Sequence, residues 1–375
     1  MKDNLVLVIN PGSTSDEVAL FRGTQEVFHK VVRYQPKELE KFEGKKVTDQ
    51  FDFRKELVLR LLRENGVDPA SLTAISGRGG LVRPIPSGTY LVNEALLKDL
   101  REGVLGDHPS NLGGLIAHSI AAPLGIPAYI ADPVVVDEME PIARYSGMPE
   151  NPRISIFHCL NQKRVARKIA EKLGKKYDEC NFIVAHAGGG ISVGAHKQGR
   201  VVDVNNALDS EGPFTPQRSG GVPAGGLVKM CFSGKYTLDE MKLKLKGKGG
   251  IVAYTGTTDM IALEKLADGV EITPDQREHL LLGITSEKAS ELLQALAYQV
   301  AKEIAGLSAV LCGKIDAIIL TGGQAYGKKH FVQPIRDRVG WIAPIEVIPG
   351  GDEMSALNEA ALRVLNNEEK VLTYQ

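Results

Sequence analysis

The sequence predicts an α/β protein built from two topologically similar halves. Two observations predict it. Apolar runs of strand length alternate with segments of helical apolar spacing, the pattern of a sheet covered by helices. A strand, small-residue turn, strand, tight turn, strand pattern also occurs twice, starting near residues 5 and 182.

In order, residues 5–9 form a continuous apolar run that reads as a buried strand. Asn10-Pro11-Gly12-Ser13-Thr14-Ser15 breaks it with turn formers, 18–21 resumes it, Arg22-Gly23-Thr24 turns again and 27–34 is the third strand. Residues 52–65 have helical spacing and stop at Gly66; 74–77 and 128–132 read as strand ends, and 93–101 and 112–122 as helices. A helix over 161–173 is stopped by Gly174. The second copy has strands at 182–186 and 191–196, the turn Ala187-Gly188-Gly189-Gly190 between them, and a third strand at 200–205 after Gln198-Gly199. The copies align without a gap, Asn10 on His186, Gly12 on Gly188 and Gly23 on Gly199, at an offset of 176 residues. Thr273-Pro274-Asp275-Gln276 then starts a long helical region reaching about Leu311. Strands at 316–320 and 346–348 enter Thr321-Gly322-Gly323 and Gly350-Gly351-Asp352-Glu353, and 354–365 is the closing helix. The basic stretch 242–250 reads as a solvated helix end and loop.

The 375 residues, 43% hydrophobic, are enough for two domains. A formal net charge of −1 speaks against a nucleic-acid or membrane-surface partner. The run at 5–9 is too short for a signal-peptide core, and no run approaches the ~18 apolar residues of a spanning helix. Cys159, Cys180, Cys231 and Cys312 are scattered, without a C-x-x-C pair, and read as buried thiols of a reducing compartment. A cytoplasmic protein is expected.

Four small-residue turns follow apolar strands: 10–15, 186–190, 321–323 and 350–353. Such turns let backbone N–H groups approach phosphate oxygens, and two at matched repeat positions point to a nucleotide between two lobes. No G-x-G-x-x-G opens a helix after a strand. Gly322 to Lys328 mimics a P-loop, but Lys329 follows where Ser or Thr must hold Mg²⁺. There is no G-x-S-x-G elbow. Arg78 and Arg218 lie in Gly-rich segments, where a guanidinium fork suits carboxylate or phosphoryl oxygens; each alone reads equally well as a structural loop residue. His108, His158 and His186 sit at strand ends or turns without zinc-site spacing. Asp132, Asp352 and Glu353 are placed to meet Mg²⁺, with helix capping the alternative for Asp352.

Together these segments resemble the acetate kinase family, and within it the butyrate-type members. The resemblance is carried by Asn10-Pro11-Gly12-Ser13-Thr14-Ser15, Gly77-Arg78-Gly79-Gly80-Leu81, His108-Pro109-Ser110-Asn111, His186-Ala187-Gly188-Gly189-Gly190-Ile191-Ser192, the segment from Pro213 to Gly220 around Arg218, and Thr321-Gly322-Gly323-Gln324-Ala325. It implies two duplicated ribonuclease-H-like domains of the actin-like ATPase fold around a nucleotide cleft. Residues 1–153 plus 354–375 would form the acyl- and phosphoryl-site domain, and 154–353 the nucleotide domain. It implies that Asn10, Ser13 and Ser15 lie near the transferred phosphoryl group, and that Arg78 and Arg218 hold the carboxylate and the phosphoryl in transfer. By the same resemblance His158 would stabilise that group in flight, and Asp132 and Glu353 would orient substrate and Mg²⁺. It further implies that His186, Gly188, Gly189 and Gly190 contact ATP phosphates and that Gly322 and Gly323 lie near adenosine. Glu17 and Gln162 depart from the acetate-type pattern and favour butyrate or a branched short-chain acid over acetate. The expected partners are ATP or ADP, Mg²⁺, a short-chain carboxylate or its acyl phosphate, and further copies of the chain, with the apolar stretch 280–311 as the candidate interface. The rival readings are an acetate or propionate kinase, a sugar kinase and an ATP-driven switch protein.

Overall fold

The computed structural model describes residues 3–281 and 283–375. By its contacts the chain divides into two compact units: Met1–Asp137 with Cys159–Asn161 and Asp352–Gln375, and Glu138–His158 with Gln162–Gly351. Segment 138–153 thus falls with the second unit, tied there by Glu140 N–H to Val202 O and by Arg153 on Asp203 and Glu211.

The first unit contains strands β1 (Leu5–Pro11), β2 (Ser15–Arg22), β3 (Gln25–Arg33), β4 (Ala74–Arg78), β5 (Thr89–Leu91) and β6 (Ala128–Ala131). The second contains β7 (Asn181–Ala187), β8 (Ile191–Lys197), β9 (Arg200–Val204), β10 (Ala317–Gly322) and β11 (Ile345–Pro349), and β12 (Leu372–Thr373) returns to the first. The sheet orders are β12-β5-β6-β4-β1-β2-β3 and β11-β10-β7-β8-β9. In both, a three-stranded antiparallel meander leads with its first strand into two further parallel strands, β4 and β6 in one and β10 and β11 in the other. This is a duplicated actin-like ATPase topology.

The continuous apolar character of β1 follows from burial on both faces. Leu5, Leu7 and Ile9 join the core that includes Leu57, Leu61 and Leu62 of helix Phe51–Glu64. Val6 and Val8, pointing the other way, join Met354, Leu357 and Ala361 of helix Glu353–Leu365. The second unit repeats the arrangement. Ile183 and Ala185 pack with helix Ser286–Val310, and Phe182 and Val184 with Val165 and Ile169 of helix Cys159–Lys172.

Strand pairing corrects the gapless alignment of the repeat. Pro11 pairs with Asp16, leaving residues 12–15 in the first turn, whereas Ala187 pairs with Ile191, leaving only 188–190. Past these turns the equivalence runs one residue shorter. The β-bulge lies between Leu20 and Phe21 in one hairpin and between Ala195 and His196 in the other. Gly23 therefore corresponds to Gln198, not Gly199; both take positive φ, 57° and 48°.

Two other expectations change. The helical region from Thr273 is not continuous: Thr273 caps only Pro274–Glu278, Gly283 takes a φ of 89°, and Thr285 caps a new helix, Ser286–Val310. The apolar residues Leu292, Leu296, Val300 and Ile304 of that helix are buried in the core of their own unit. Cys159 and Cys180 are buried as expected, but Cys231 and Cys312 are exposed. No described helix is long and apolar enough to cross a membrane.

Under the first turn lies a buried ion pair. Arg54, on the apolar stripe of helix Phe51–Glu64, is fully buried and pairs with Asp16, whose Oδ2 also accepts the Tyr34 hydroxyl at 2.6 Å. Removing one partner leaves an uncompensated buried charge. Arg54→Ala is expected to lower unfolding free energy by about 3–5 kcal/mol, and Tyr34→Phe by about 1–3 kcal/mol. Denaturant unfolding of the purified variants checks both the size and the order of these losses.

Candidate active site

In the first unit, the predicted residues gather at the carboxyl ends of three adjacent parallel strands. Ile9 of β1 is in register with Gly77 of β4, and Arg78 with Ala131 of β6, so Asn10 and Arg78 lie side by side and Asp132 follows one residue beyond the end of the neighbouring strand. This is the edge at which open α/β sheets bind ligands. Glu353, in the first turn of the closing helix, joins two of them: its Oε2 accepts Asn10 Nδ2 at 2.9 Å and ion-pairs with Arg78. The Arg78 and Glu353 side chains are 13% and 27% exposed, so both are partly desolvated yet accessible. Asp132 is buried and has its own partners, Ser87 Oγ at 2.6 Å and Gly88 N–H at 2.9 Å, both donating to Oδ1. Its φ of 39° is one that non-glycine residues seldom adopt, a strain typical of functional positions. Asp352 caps the closing helix, accepting Ser355 N–H at 3.0 Å.

Arg78 is seated by a backbone-to-backbone contact. A Cβ on Gly113 would stand 2.3 Å from the Arg78 carbonyl oxygen, and one on Gly77 would stand 2.3 Å from that of Gly113. Only glycine at both positions lets helix Asn111–Ala121 lie this close to β4. Asn111 completes the seat, its Oδ1 accepting Leu81 N–H at 2.8 Å and its Nδ2 donating to Gly106 O at 3.0 Å. His108 stays local, with Nδ1 2.9 Å from Ser110 Oγ.

Three carbonyls of the first turn are taken up. Gly12 O accepts Arg54 Nη1 at 2.8 Å, Thr14 O accepts Tyr34 N–H at 2.9 Å, and Ser15 O accepts Gly12 N–H at 2.7 Å. Ser13 is exposed and Ser15 half-buried. Glu17 lies beyond the turn on β2, its Oε2 3.4 Å from His29 Nε2.

In the second unit the matching edge is formed by β7, β10 and β11, with Thr321 in register with His186 and Gly322 with Pro349. Gly322 and Gly350 exchange backbone hydrogen bonds of 3.0 and 2.9 Å, while Gly323 is exposed at the start of the next turn. The turn 188–190 is closed by Gly188 N–H to Gly190 O at 2.9 Å, and Thr215 Oγ donates to Gly189 O at 2.7 Å. Thr215 Oγ also accepts Arg218 N–H at 2.9 Å, so one hydroxyl fastens the arginine's loop to the triple-glycine turn. The Arg218 guanidinium donates to Ala207 O and passes over Gly190, where a Cβ would stand 2.1 Å from Nη1. Burial pushes its pKa down, with Asp209 opposing.

His158 and His186 stack with ring centroids 4.0 Å apart and planes 13° apart. Behind them runs a buried polar chain: His158 Nδ1 to Ser192 Oγ (2.9 Å), Ser192 Oγ to Gln162 Nε2 (2.8 Å), Gln162 Oε1 to His196 Nε2 (2.9 Å) and His196 Nδ1 to the Tyr177 hydroxyl (2.7 Å). Burial holds the His196 pKa well below 6.5, with Lys163 and Arg167 adding to the effect. A histidine kept neutral in the folded chain leaves the unfolded chain binding the extra proton. Stability is then present in full above pH 6.5 and is lost as pH falls below it. The expected slope from this group is about 1.4 kcal/mol per pH unit. Denaturation curves between neutral and mildly acidic pH should show it, and His196→Leu should flatten it.

The structure thus brings Asn10, Arg78 and Glu353 into contact, places Asp132 just past the end of the strand next to Arg78, stacks His158 on His186, and seats Arg218 on Gly190. Arg54, Thr215, Ser192 and His196 were not singled out from sequence. Arg54 carried a signal, a charge on an apolar helical stripe; the other three acquire their roles only through tertiary contacts. Among the described residues no three His, Cys, Asp or Glu side chains cluster as a metal cage. Asp132 and Glu353 instead suit a divalent cation that arrives on phosphate oxygens and keeps much of its water.

The fold recurs in solved structures. Acetate kinase from Porphyromonas gingivalis superposes with a TM-score of 0.72 at 18% identity, covering 96% of this chain and 100% of that one. A propionate kinase from Francisella tularensis subsp. tularensis gives 0.72 at 19% identity, covering 95% and 98%. Acetate kinase from Entamoeba histolytica gives 0.74 at 17% identity, covering 96% and 99%. The model of the Acetokinase family matches residues 153–335, the span that carries His158, His186, the triple-glycine turn, Arg218, Gly322 and Gly323, and the fold shared with these acetate kinases covers 96% of the chain.

Proposed function

We propose that this chain is a carboxylate kinase that reversibly transfers the γ-phosphoryl group of ATP to butyrate or a branched short-chain acid, giving ADP and the acyl phosphate. The observation that carries the reading is the Acetokinase match over the span holding Arg218 and both stacked histidines. The acceptor carboxylate is already ionised at pH 7, so no general base is required. The physical obstacle is repulsion between a carboxylate and a triphosphate. Arg78 and Arg218 supply fixed positive forks, and His158 donates to the equatorial oxygens of the moving group. Mg²⁺ bound to the phosphates, met by Glu353 and Asp132, neutralises further charge when present. A carboxylate oxygen forms a bond to phosphorus while the bond from phosphorus to the β–γ bridging oxygen breaks, in line. A γ-phosphoryl group made chiral with oxygen isotopes should therefore arrive inverted; net retention would sink the direct step.

A second reading, acetate or propionate as the acceptor, is favoured by the named activities of the similar solved structures. One methylene in an apolar pocket is worth about 1–3 kcal/mol, so the acids overlap and must be ranked by experiment. With ATP and Mg²⁺, hydroxylamine trapping across acetate, butyrate, isobutyrate and isovalerate should give a maximum at the four- or five-carbon acids. A maximum at acetate would transfer the assignment to the second reading, and no hydroxamate with any acid would end both. Arg218→Ala should lower kcat/KM about 10²–10³-fold, with Arg218→Lys restoring part, since an ammonium lacks the fork. Gly190→Ala, which drives a methyl group into the guanidinium, should cost about 10²-fold with the far-ultraviolet circular dichroism unchanged.

A further inference from the structure

One backbone carbonyl fixes the proton positions from Gln162 to Tyr177 in the polar chain behind His158, and the donors on Ser192 Oγ favour one direction for the bond to His158. Gln162 Nε2 lies 3.0 Å from Ser192 O, an acceptor with no proton to give, so the amide nitrogen must face it. The amide oxygen then faces His196 Nε2 at 2.9 Å and requires a proton there. His196 is fully buried and held neutral, so its Nδ1 carries no proton and accepts the Tyr177 hydroxyl at 2.7 Å. At the other end the second Nε2 proton of Gln162 goes to Ser192 Oγ at 2.8 Å. The His158 N–H approaches the same oxygen at 3.4 Å, which leaves the hydroxyl its own proton to donate, and His158 Nδ1 stands 2.9 Å away to accept it.

We propose that Gln162 and Ser192 are positioning residues that hold His158 as its Nε2–H tautomer. Resting on the carboxylate kinase reading, this fixes the nitrogen with which His158 donates to the phosphoryl group in transfer. Ser192 and Gln162 are fully buried and Ser192 sits on β8 of the central sheet, so the direction of the chain is built into rigid structure. The stack on His186 sets the ring plane, and the Ser192 proton sets which edge of that plane is the donor.

The test reads the tautomer directly. Two-bond ¹H–¹⁵N spectra of the ¹⁵N-histidine-labelled full chain, without nucleotide or acid and at a pH where the imidazoles are neutral, distinguish Nδ1–H from Nε2–H. The His158 signals are assigned by comparison with His158→Asn. Wild type should show Nε2–H at both His158 and His196. Ser192→Ala should convert His158 to a mixture of tautomers, and Ser192→Thr, which keeps the hydroxyl, should restore it. In the trapping assay Ser192→Ala should lower kcat about tenfold with the nucleotide KM within about twofold, and Ser192→Thr should recover most of it. An Nδ1–H signal for His158 in wild type overturns the proposal. So does a Ser192→Ala protein whose His158 spectrum and kcat both match wild type. If wild type phosphorylates no acid, the carboxylate kinase reading falls with the trapping assay, while the spectra still decide the tautomer.

Discussion

The interaction on which both glycine-containing turns depend is the capture of their backbone carbonyls by nearby donors. In the first, the carbonyls of Gly12, Thr14 and Ser15 are engaged by Arg54, Tyr34 and Gly12. In the second, those of Gly189 and Gly190 are engaged by Thr215 and Gly188. The two units meet the same requirement with different chemistry. One sends a buried guanidinium, which then needs Asp16 and Gln50 to satisfy it, with Tyr34 donating to Asp16 in turn. The other sends a hydroxyl, which needs no counter-charge and is left able to accept the backbone of Arg218. The rest of each half-site follows from where these captors sit.

The same economy of backbone appears in how the arginines are held. Arg78 is located by two glycines that let a helix touch its strand, so its Cα has little room to move. Arg218 is on a loop, and its location comes from one threonine and from the absence of a side chain at Gly190. A guanidinium must reach the acceptor in a fixed orientation to stabilise developing charge without reorganising. Both arginines gain that fixity from neighbours with small side chains rather than from large complementary surfaces.

The strands, the repeat and the turns were legible in the sequence because each is local. The run at β1 is apolar on both faces, and the turn formers follow it at once. The stacked histidines were legible only as two residues with the right resemblance; that their rings touch is a product of the fold. Arg54 announced itself as a charge among Leu57, Val58 and Leu61, but its partner Asp16 is distant in sequence and looks like an ordinary strand residue. The break between the helices Pro274–Glu278 and Ser286–Val310 was hidden because residues on both sides have good helical spacing, while Gly283 and Thr285 act only locally. Hydrophobic spacing could not say whether the long helix spends its apolar face inside its unit or outside it.

The two matched bulges carry a historical consequence. They sit at equivalent points of β2 and β8, although the turn before one is a residue longer than the turn before the other. An insertion or deletion inside a strand would have reversed every side chain beyond it. Here the length change was confined to the turn, and the downstream ladder kept its phase. The duplicated halves were therefore free to diverge in composition at that one point, one carrying serine hydroxyls and the other bare glycine, while the framework common to both stayed in step.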